Sequence, residues 1–451
     1  MSESKVSRTK RRKIRISHLL FLLLLVGAGA FTFYRLNLKK KLQERKDSIR
    51  AVGYPVTLEE LNDYYSIPED AENAAYFILD AIEYYLEPED SLLLPVVGQA
   101  ELPARTEPLT IKMLTDISVY LKDNQKSLEL LHETLALEYS RYPINLTLGI
   151  ETLLKHLSGI RQSVKLLALA AIYDAEYQKS DEVIESIETI FSVSRSLSNE
   201  PIIISQLVHA STHHSALSSL ERIINRIDFT DEQLIKLQEL ITNNADLSGM
   251  TKAFIGERCQ TLSILENPTI LNSDIIGGYV PPAPILEAYI ALGLADREAI
   301  TFLDIMDQFI QAFKLPHPER NKAADIIEAE ISKTFKIHYI LKIFMPAFGR
   351  IVDIDSESIA GIRIVQATLA VQRYRLAEGK LPEQLKELVP KYIESVPEDP
   401  FDGKELRYKE LNPGFVIYSI GEDLSDDNGT EEPVSKIGQT KSRDITFFVE
   451  R

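Results

Sequence analysis

The sequence predicts a mostly α-helical protein: an N-terminal transmembrane helix, an irregular array of helices, and a small C-terminal α+β domain with a three-stranded antiparallel sheet. Three observations predict it. Residues 16–34 carry no charged side chain, helical spacing of apolar residues dominates from Tyr54 to about Arg350, and strand-like alternation is confined to the chain beyond residue 404.

The first element is the run Ile16 to Tyr34, nineteen residues without Lys, Arg, Asp or Glu, long enough as a helix to cross roughly 30 Å of hydrocarbon. Phe33 and Tyr34 stand where aromatic residues anchor at the interface, and bases crowd both ends. A cleaved signal peptide has a shorter apolar stretch, about 7–15 residues, before a small-residue cleavage site. Gly27-Ala28-Gly29-Ala30 offers such a site, but the apolar run continues through Tyr34 into a basic segment, which suits a retained signal-anchor. This divides the start of the chain into a basic tail (1–15), a transmembrane helix (16–34) and a basic linker (35–53). Seven Lys/Arg precede the span and seven follow it up to Arg50, so charge does not orient it. The usual signal-anchor arrangement puts the short tail in the cytoplasm and the body in the periplasm, on a single pass through the cell inner membrane.

The remainder is acidic. Of 50 Lys/Arg and 67 Asp/Glu, 14 and 3 lie in the first fifty residues, leaving 36 bases against 64 acids beyond them. Such a surface repels phosphate backbones and anionic headgroups, which argues against nucleic acid as a partner and against a membrane face beyond the anchor. The lipid bilayer, through the one helix, and a protein are the expected partners. Cys259 is the only cysteine, so no intramolecular disulfide and no cysteine-based metal site can form; inside a helical pattern it reads as a small buried residue.

Residues 54–350 form the expected helical domain, with helices over Glu72–Leu86, Leu109–Tyr139, Gly149–Gln178, Ser180–Leu197, Ile202–Ile227, Asp231–Thr242 and Ala288–Phe313, punctuated by proline and glycine. Thr230 and Ser180 stand before acidic residues as helix caps. Leu167, Ala168, Ala171, Tyr173 and Ala175 loosely resemble the first helix of a tetratricopeptide-type hairpin, with no second clean copy. His209 and His213 share a helix face at i, i+4, but without the glutamate of an H-E-x-x-H site a polar helix face is the better reading. Glu257 and Arg258 are expected to form a partly buried ion pair. No P-loop, nucleophile elbow or dinucleotide fingerprint occurs.

Residues 351–451 change texture. A helix over Ile359–Glu378 ends at Gly379, a short second helix covers Pro382–Val389, and strands follow at Glu405–Lys409, Phe415–Ile420 and Ile445–Val449. Leu406/Tyr408, Phe415/Ile417 and Ile445/Phe447 fall on one face, which packs on the helix.

The series Gly379-Lys380-Leu381-Pro382, Asp399-Pro400-Phe401-Asp402-Gly403, Leu406-Arg407-Tyr408, Tyr418-Ser419-Ile420-Gly421-Glu422-Asp423 and Asp444-Ile445 resembles the globular domain of type II secretion major pseudopilins, over about the last ninety residues. That resemblance implies a calcium ion in the loop after the second strand, with Asp423 and Asp444 as matching acids. Asp426, Asp427 and Asn428 add oxygens, in keeping with the six to eight that calcium takes. The sequence departs from the family in the long loop Leu424–Arg443 and at the N-terminus, where the family's short basic leader and following apolar stem are missing, so a fibre-subunit role is not expected. The whole layout, with Glu72-Asn73-Ala74-Ala75 and Gly256-Glu257-Arg258, resembles exported membrane-anchored proteins of planctomycete-type bacteria, which implies no activity. The functional expectation is a membrane-anchored, extracytoplasmic scaffold or binding protein rather than an enzyme. The alternatives are an exported hydrolase using carboxylates of the helical domain and an accessory component of a secretion or pilus-like system.

Overall fold

The computed structural model describes residues 4–245, 249–268, 281–334, 341, 348–431 and 444–451, with side chains from residue 17 onward. Its helices are α1 (Ser4–Ala51), α2 (Leu58–Tyr64), α3 (Ala74–Tyr84), α4 (Ile111–Asp123), α5 (Gln125–Glu133), α6 (His156–Glu176) and α7 (Ser180–Arg195). They continue with α8 (Ile203–Ile224), α9 (Asp231–Asn243), α10 (Gly249–Glu266), α11 (Ala283–Ala291), α12 (Leu294–Ala312), α13 (Glu319–Thr334) and α14 (Phe348–Glu378), followed by strands β1 (Arg407–Glu410), β2 (Phe415–Ser419) and β3 (Ile445–Val449). The fold is mostly α, with one small antiparallel sheet ordered β1-β2-β3, as the sequence predicts.

Among the described residues one helix, α1, is long and apolar enough to cross a membrane, and its residues Leu19–Val26 are each more than half exposed. The segment read as a basic linker is instead the last third of this same helix. Four of its seven bases meet acids of the body, which holds the helix against it, while Lys39, Lys40 and Lys41 stay exposed. Arg35 pairs with Asp296 at 2.6 Å and Arg50 with Glu60 at 2.8 Å, Lys46 meets Glu266 and Arg45 meets Asp304, while Leu42 and Ile49 are buried between these pairs.

The centre of the body is α6, whose Leu166–Ile172 are buried without a break among α3, α4, α7 and α8. A helical stretch apolar all round must sit in a core. Several expected helices are shorter than their apolar pattern. Leu109–Tyr139 divides at Asn124, whose side chain accepts from Leu86 N–H (2.8 Å) and donates to its carbonyl (3.3 Å), and Gly149–Gln178 starts only at His156. Ala288–Phe313 breaks at Gly293, held at φ +80°. The Thr230 cap is present, reciprocated by Gln233, whereas Ser180 instead accepts from the Gln233 amide at 2.8 Å.

In the C-terminal unit α14 begins eleven residues before the expected Ile359 and the second helix is a single 3₁₀ turn, Leu385–Leu388. The strand register pairs Tyr408 with Ile417 and Ile417 with Phe447. Leu406, Phe415, Ile417, Phe447 and Val449 join the same apolar cluster as α6–α9 and α14, so the sheet shares its core with the helical body. Gly414, at φ +90°, makes the hairpin turn; a Cβ there would lie 1.7 Å from the Val449 carbonyl oxygen.

The quoted motifs have structural work to do. Asp399, fully buried, accepts from Phe401 N–H (3.0 Å), Ser419 Oγ (2.8 Å), Ile420 N–H (3.0 Å) and Arg407 Nη1 (2.5 Å), tying the D-P-F-D-G turn to the end of β2. Asp402 takes the other guanidinium nitrogen at 2.5 Å.

Candidate functional site

A cleft of about 490 Å³ opens between α8, α14 and β3. Leu207, Ala210 and Leu217 of α8, Ile354, Ile364 and Val365 of α14, and Ile445 and Phe447 of β3 supply apolar walls; His213, His214, Glu221 and Glu357 supply the polar groups. An apolar cavity with a few polar groups of shifted acidity is the usual form of a small-molecule site.

Three features set its shape. Gly361 brings α14 close to α8, since a Cβ there would stand 3.2 Å from Leu217 Cδ1. Glu221 Oε1 accepts from Phe448 N–H at 2.7 Å and from Arg105 at 3.0 Å, and Asn225 accepts from Glu450 N–H and donates to the Phe448 carbonyl, at 2.7 and 2.8 Å. Those two side chains of α8 and its C-cap act as a fourth strand along the free edge of β3. On the other wall, Arg350 pairs with Glu357 at 3.2 Å and with Glu422 beyond β2.

The polar groups are electrostatically loaded. Burial pushes His213 well below the ordinary imidazole range, helped by His209, and burial also lowers His214. Both are neutral at pH 7. His209 and His213 do sit together, ring centroids 4.6 Å apart and edge to face, with Phe191 against His213; this is packing in a core rather than a polar helix face. Nδ1 of His213 is buried without a hydrogen-bond partner among the described residues. Burial raises Glu221 and Glu357 above the ordinary carboxyl range, and one turn before Glu357 it raises Asp353 to about 6, with Glu422 adding to the shift. A larger groove of about 890 Å³ between α9, α14 and residues 392–398 mixes polar and apolar walls, and its arginines are already engaged: Arg363 by the Glu398 carbonyl (2.6 Å), Arg373 by Asp231 (2.8 Å) and Gln238 (2.9 Å).

The four acids expected to bind metal lie on the loop leaving β2 and at the start of β3. Asp423 turns back to Ser425 N–H (2.9 Å), and Asp427 is exposed. Asp426 accepts from Tyr418 OH (3.1 Å) and Asn428 N–H (2.9 Å). Asp444 accepts from Gly429 N–H at 2.7 Å through Oδ2, while its Oδ1 is buried with no partner among the described residues. Burial, with Asp426 and Asp427 adding to it, raises Asp444. The structure thus brings Asp444 to the segment 426–429 and leaves Asp423 apart. Among the described residues no three His, Cys, Asp or Glu side chains gather around one point. Residues 432–443 of the long loop lie outside the described residues.

Two serine, histidine and acid groupings that no motif announced are sealed. Glu200, fully buried, receives Ser205 and Tyr65 and meets His156 at 3.1 Å; Ser356, also fully buried, hydrogen-bonds Asn321 and the Val352 carbonyl beside His317 and Asp355. With these hydroxyls inside the core, no substrate reaches them. The Glu257–Arg258 pair is not made: neighbours on a helix diverge by about 100°, and Arg258 reaches the Pro55 carbonyl at 3.1 Å while Glu257 accepts from Thr261. Cys259 is buried, its thiol pushed up to about 12 by burial.

The cleft was not legible in the sequence, because Glu221, Glu357 and Ile445 are far apart along the chain; the small residue in Ile359-Ala360-Gly361-Ile362 and the i, i+4 acids Asp353 and Glu357 were its only local signs. No family model, curated protein or solved structure matches this chain.

Proposed function

We propose that this chain is a single-pass, membrane-tethered binding protein, N-terminus cytoplasmic and body on the periplasmic side of the inner membrane, that holds a small, largely apolar molecule in the cleft between α8, α14 and β3. The cleft carries the reading: neutral His214, exposed at its rim, suits an uncharged polar group on such a molecule, and the walls suit a hydrocarbon body. The C-terminal unit is read as a pseudopilin-like module, on the strength of its helix, D-P-F-D-G turn and three-stranded sheet. Calcium belongs to the same proposal. The unpartnered Oδ1 of Asp444, close to Asp426 and Asp427, is an oxygen a cation would satisfy, with the rest of its shell drawn from backbone carbonyls and water. Because Asp444 directly precedes β3, a cation there would also stiffen one wall of the cleft.

Titrating the detergent-solubilised full chain with 1-N-phenylnaphthylamine tests the cleft. Ser218→Phe, a rim residue of α8, is expected to weaken the probe at least tenfold and Ser158→Phe on α6 to leave it unchanged; equal affinity in both would refute the assignment. Recovery of the mature chain from the soluble fraction after carbonate washing would end the tethering part.

A second reading, an exported hydrolase, draws on one observation: two carboxyls of raised pKa, Glu221 and Glu357, line one cleft. Loss of a hydrolytic activity in Glu357→Gln with ordinary probe binding would favour it.

A further inference from the structure

The anchor ends where the body begins, and that junction fixes which part of the body lies at the bilayer surface. Arg35 is the first charged residue after the apolar run, so in a spanning helix it stands at headgroup level. Its guanidinium is held by Asp296 at 2.6 Å in the first turn of α12 and lies against Gly293, where a Cβ would be 2.2 Å from Nη1. The turn joining α11 to α12 is therefore fastened at the same depth as Arg35.

The helix leading into that turn is apolar and little buried. The sequence of α11, APILEAYIA, has a single charged residue, Glu287, and only Leu286 is fully buried. Ile285 is 55% exposed, and Leu292 and Leu294, flanking Gly293, are 53% and 38% exposed. Other apolar side chains of the body, Ile111, Leu153 and Ile326 among them, are exposed too, but those of α11 and its turn adjoin the end of the apolar run at Arg35. Four residues beyond Arg35, about 6 Å along the helix axis, Lys39, Lys40 and Lys41 are exposed and placed to meet lipid phosphates.

We infer that α11 is a second membrane contact: a short helix lying in the plane of the interface, with Ile285, Leu292 and Leu294 seated at the boundary of headgroups and acyl chains beside the anchor. This rests on the reading of α1 as a transmembrane helix. The net acidity of the body is no obstacle, because the contact is local and its nearest charges are the bases at the end of the span. The occupant is lipid, since the patch adjoins the end of the apolar run where Arg35 holds the α11–α12 turn.

The chain contains no tryptophan, so single introduced tryptophans report depth without competing emission. Full-length Leu292→Trp, Ile285→Trp, Leu24→Trp and Tyr76→Trp would each be reconstituted in vesicles of neutral and anionic phosphatidyl lipids carrying bromine at a shallow or a deep acyl position. Trp at 24 should be quenched best by deep bromine, at 292 and 285 by shallow bromine with at least a twofold loss of emission, and at 76 by aqueous iodide alone. If 24 responds to bromine while 292 and 285 respond only to iodide, α11 is in water and the inference fails with the anchor intact. If 292 and 285 escape both quenchers, protein covers them and the inference fails. If 24 responds only to iodide, the anchor reading fails and takes this one with it.

Discussion

Asp399→Ala gives the sharpest test of how the C-terminal unit is held. The carboxylate has no exposed surface and accepts four hydrogen bonds, from Phe401 N–H, Ser419 Oγ, Ile420 N–H and Arg407. Truncation leaves the Phe401 and Ile420 amides and the Ser419 hydroxyl buried without acceptors, at about 1–3 kcal/mol each. Arg407 keeps Asp402, so the larger cost of an orphaned charge is avoided. The expected loss is about 3–5 kcal/mol. Asp402→Ala, which removes a partly exposed carboxylate, should cost about 1 kcal/mol. Urea unfolding of the solubilised protein gives the midpoint shift at constant slope, and amide exchange of the peptide containing Ile420 gives the local opening. Equal destabilisation by the two substitutions, or unchanged protection at Ile420 in Asp399→Ala, would refute the hub.

Three further outcomes follow from the same reasoning. Glu200→Ala strands His156, Ser205 and Tyr65 in the core, and should cost about 3 kcal/mol or more, read as a thermal midpoint. Asp353 has its folded pKa raised to about 6 against an ordinary value of 3.8, so the folded state takes up a proton first. Its contribution to stability therefore grows as pH falls through about 6 towards 4, by about 1 kcal/mol once the screening of a half-buried carboxyl is allowed for, and Asp353→Asn should flatten that part of the stability curve. Finally, millimolar calcium should raise the thermal midpoint of the native chain and leave that of Asp444→Ala unmoved; a native midpoint indifferent to calcium would count against the loop as a cation site.

Local chemistry was readable wherever one segment carried the whole signal. The capping box at Thr230, the three strands and their core face, and the uncharged run at 16–34 all depend on residues within a few positions of one another. Reading failed where distant segments supplied the partner. The bases after Tyr34 look like a solvated linker until Asp296, Asp304 and Glu266 arrive from elsewhere. Gly293 breaks a helix that periodicity alone joins, and His209 and His213 look polar until Phe191 packs against them. Of the candidate site, the acids of the loop were visible as composition, but that Asp444 returns to Gly429 required the fold.

The unbroken passage of α1 from its exposed apolar stretch into a clamped position on the body has a mechanical consequence. Seventeen residues, Arg35 to Ala51, form a stiff mast of about 25 Å, and no swivel separates sail from keel. In the membrane-tethered reading proposed above, a tilt or axial roll of α1, forced by bilayer thickness or by pairing with another helix, would be delivered undamped to the whole body and would swing the mouth of the cleft relative to the membrane plane.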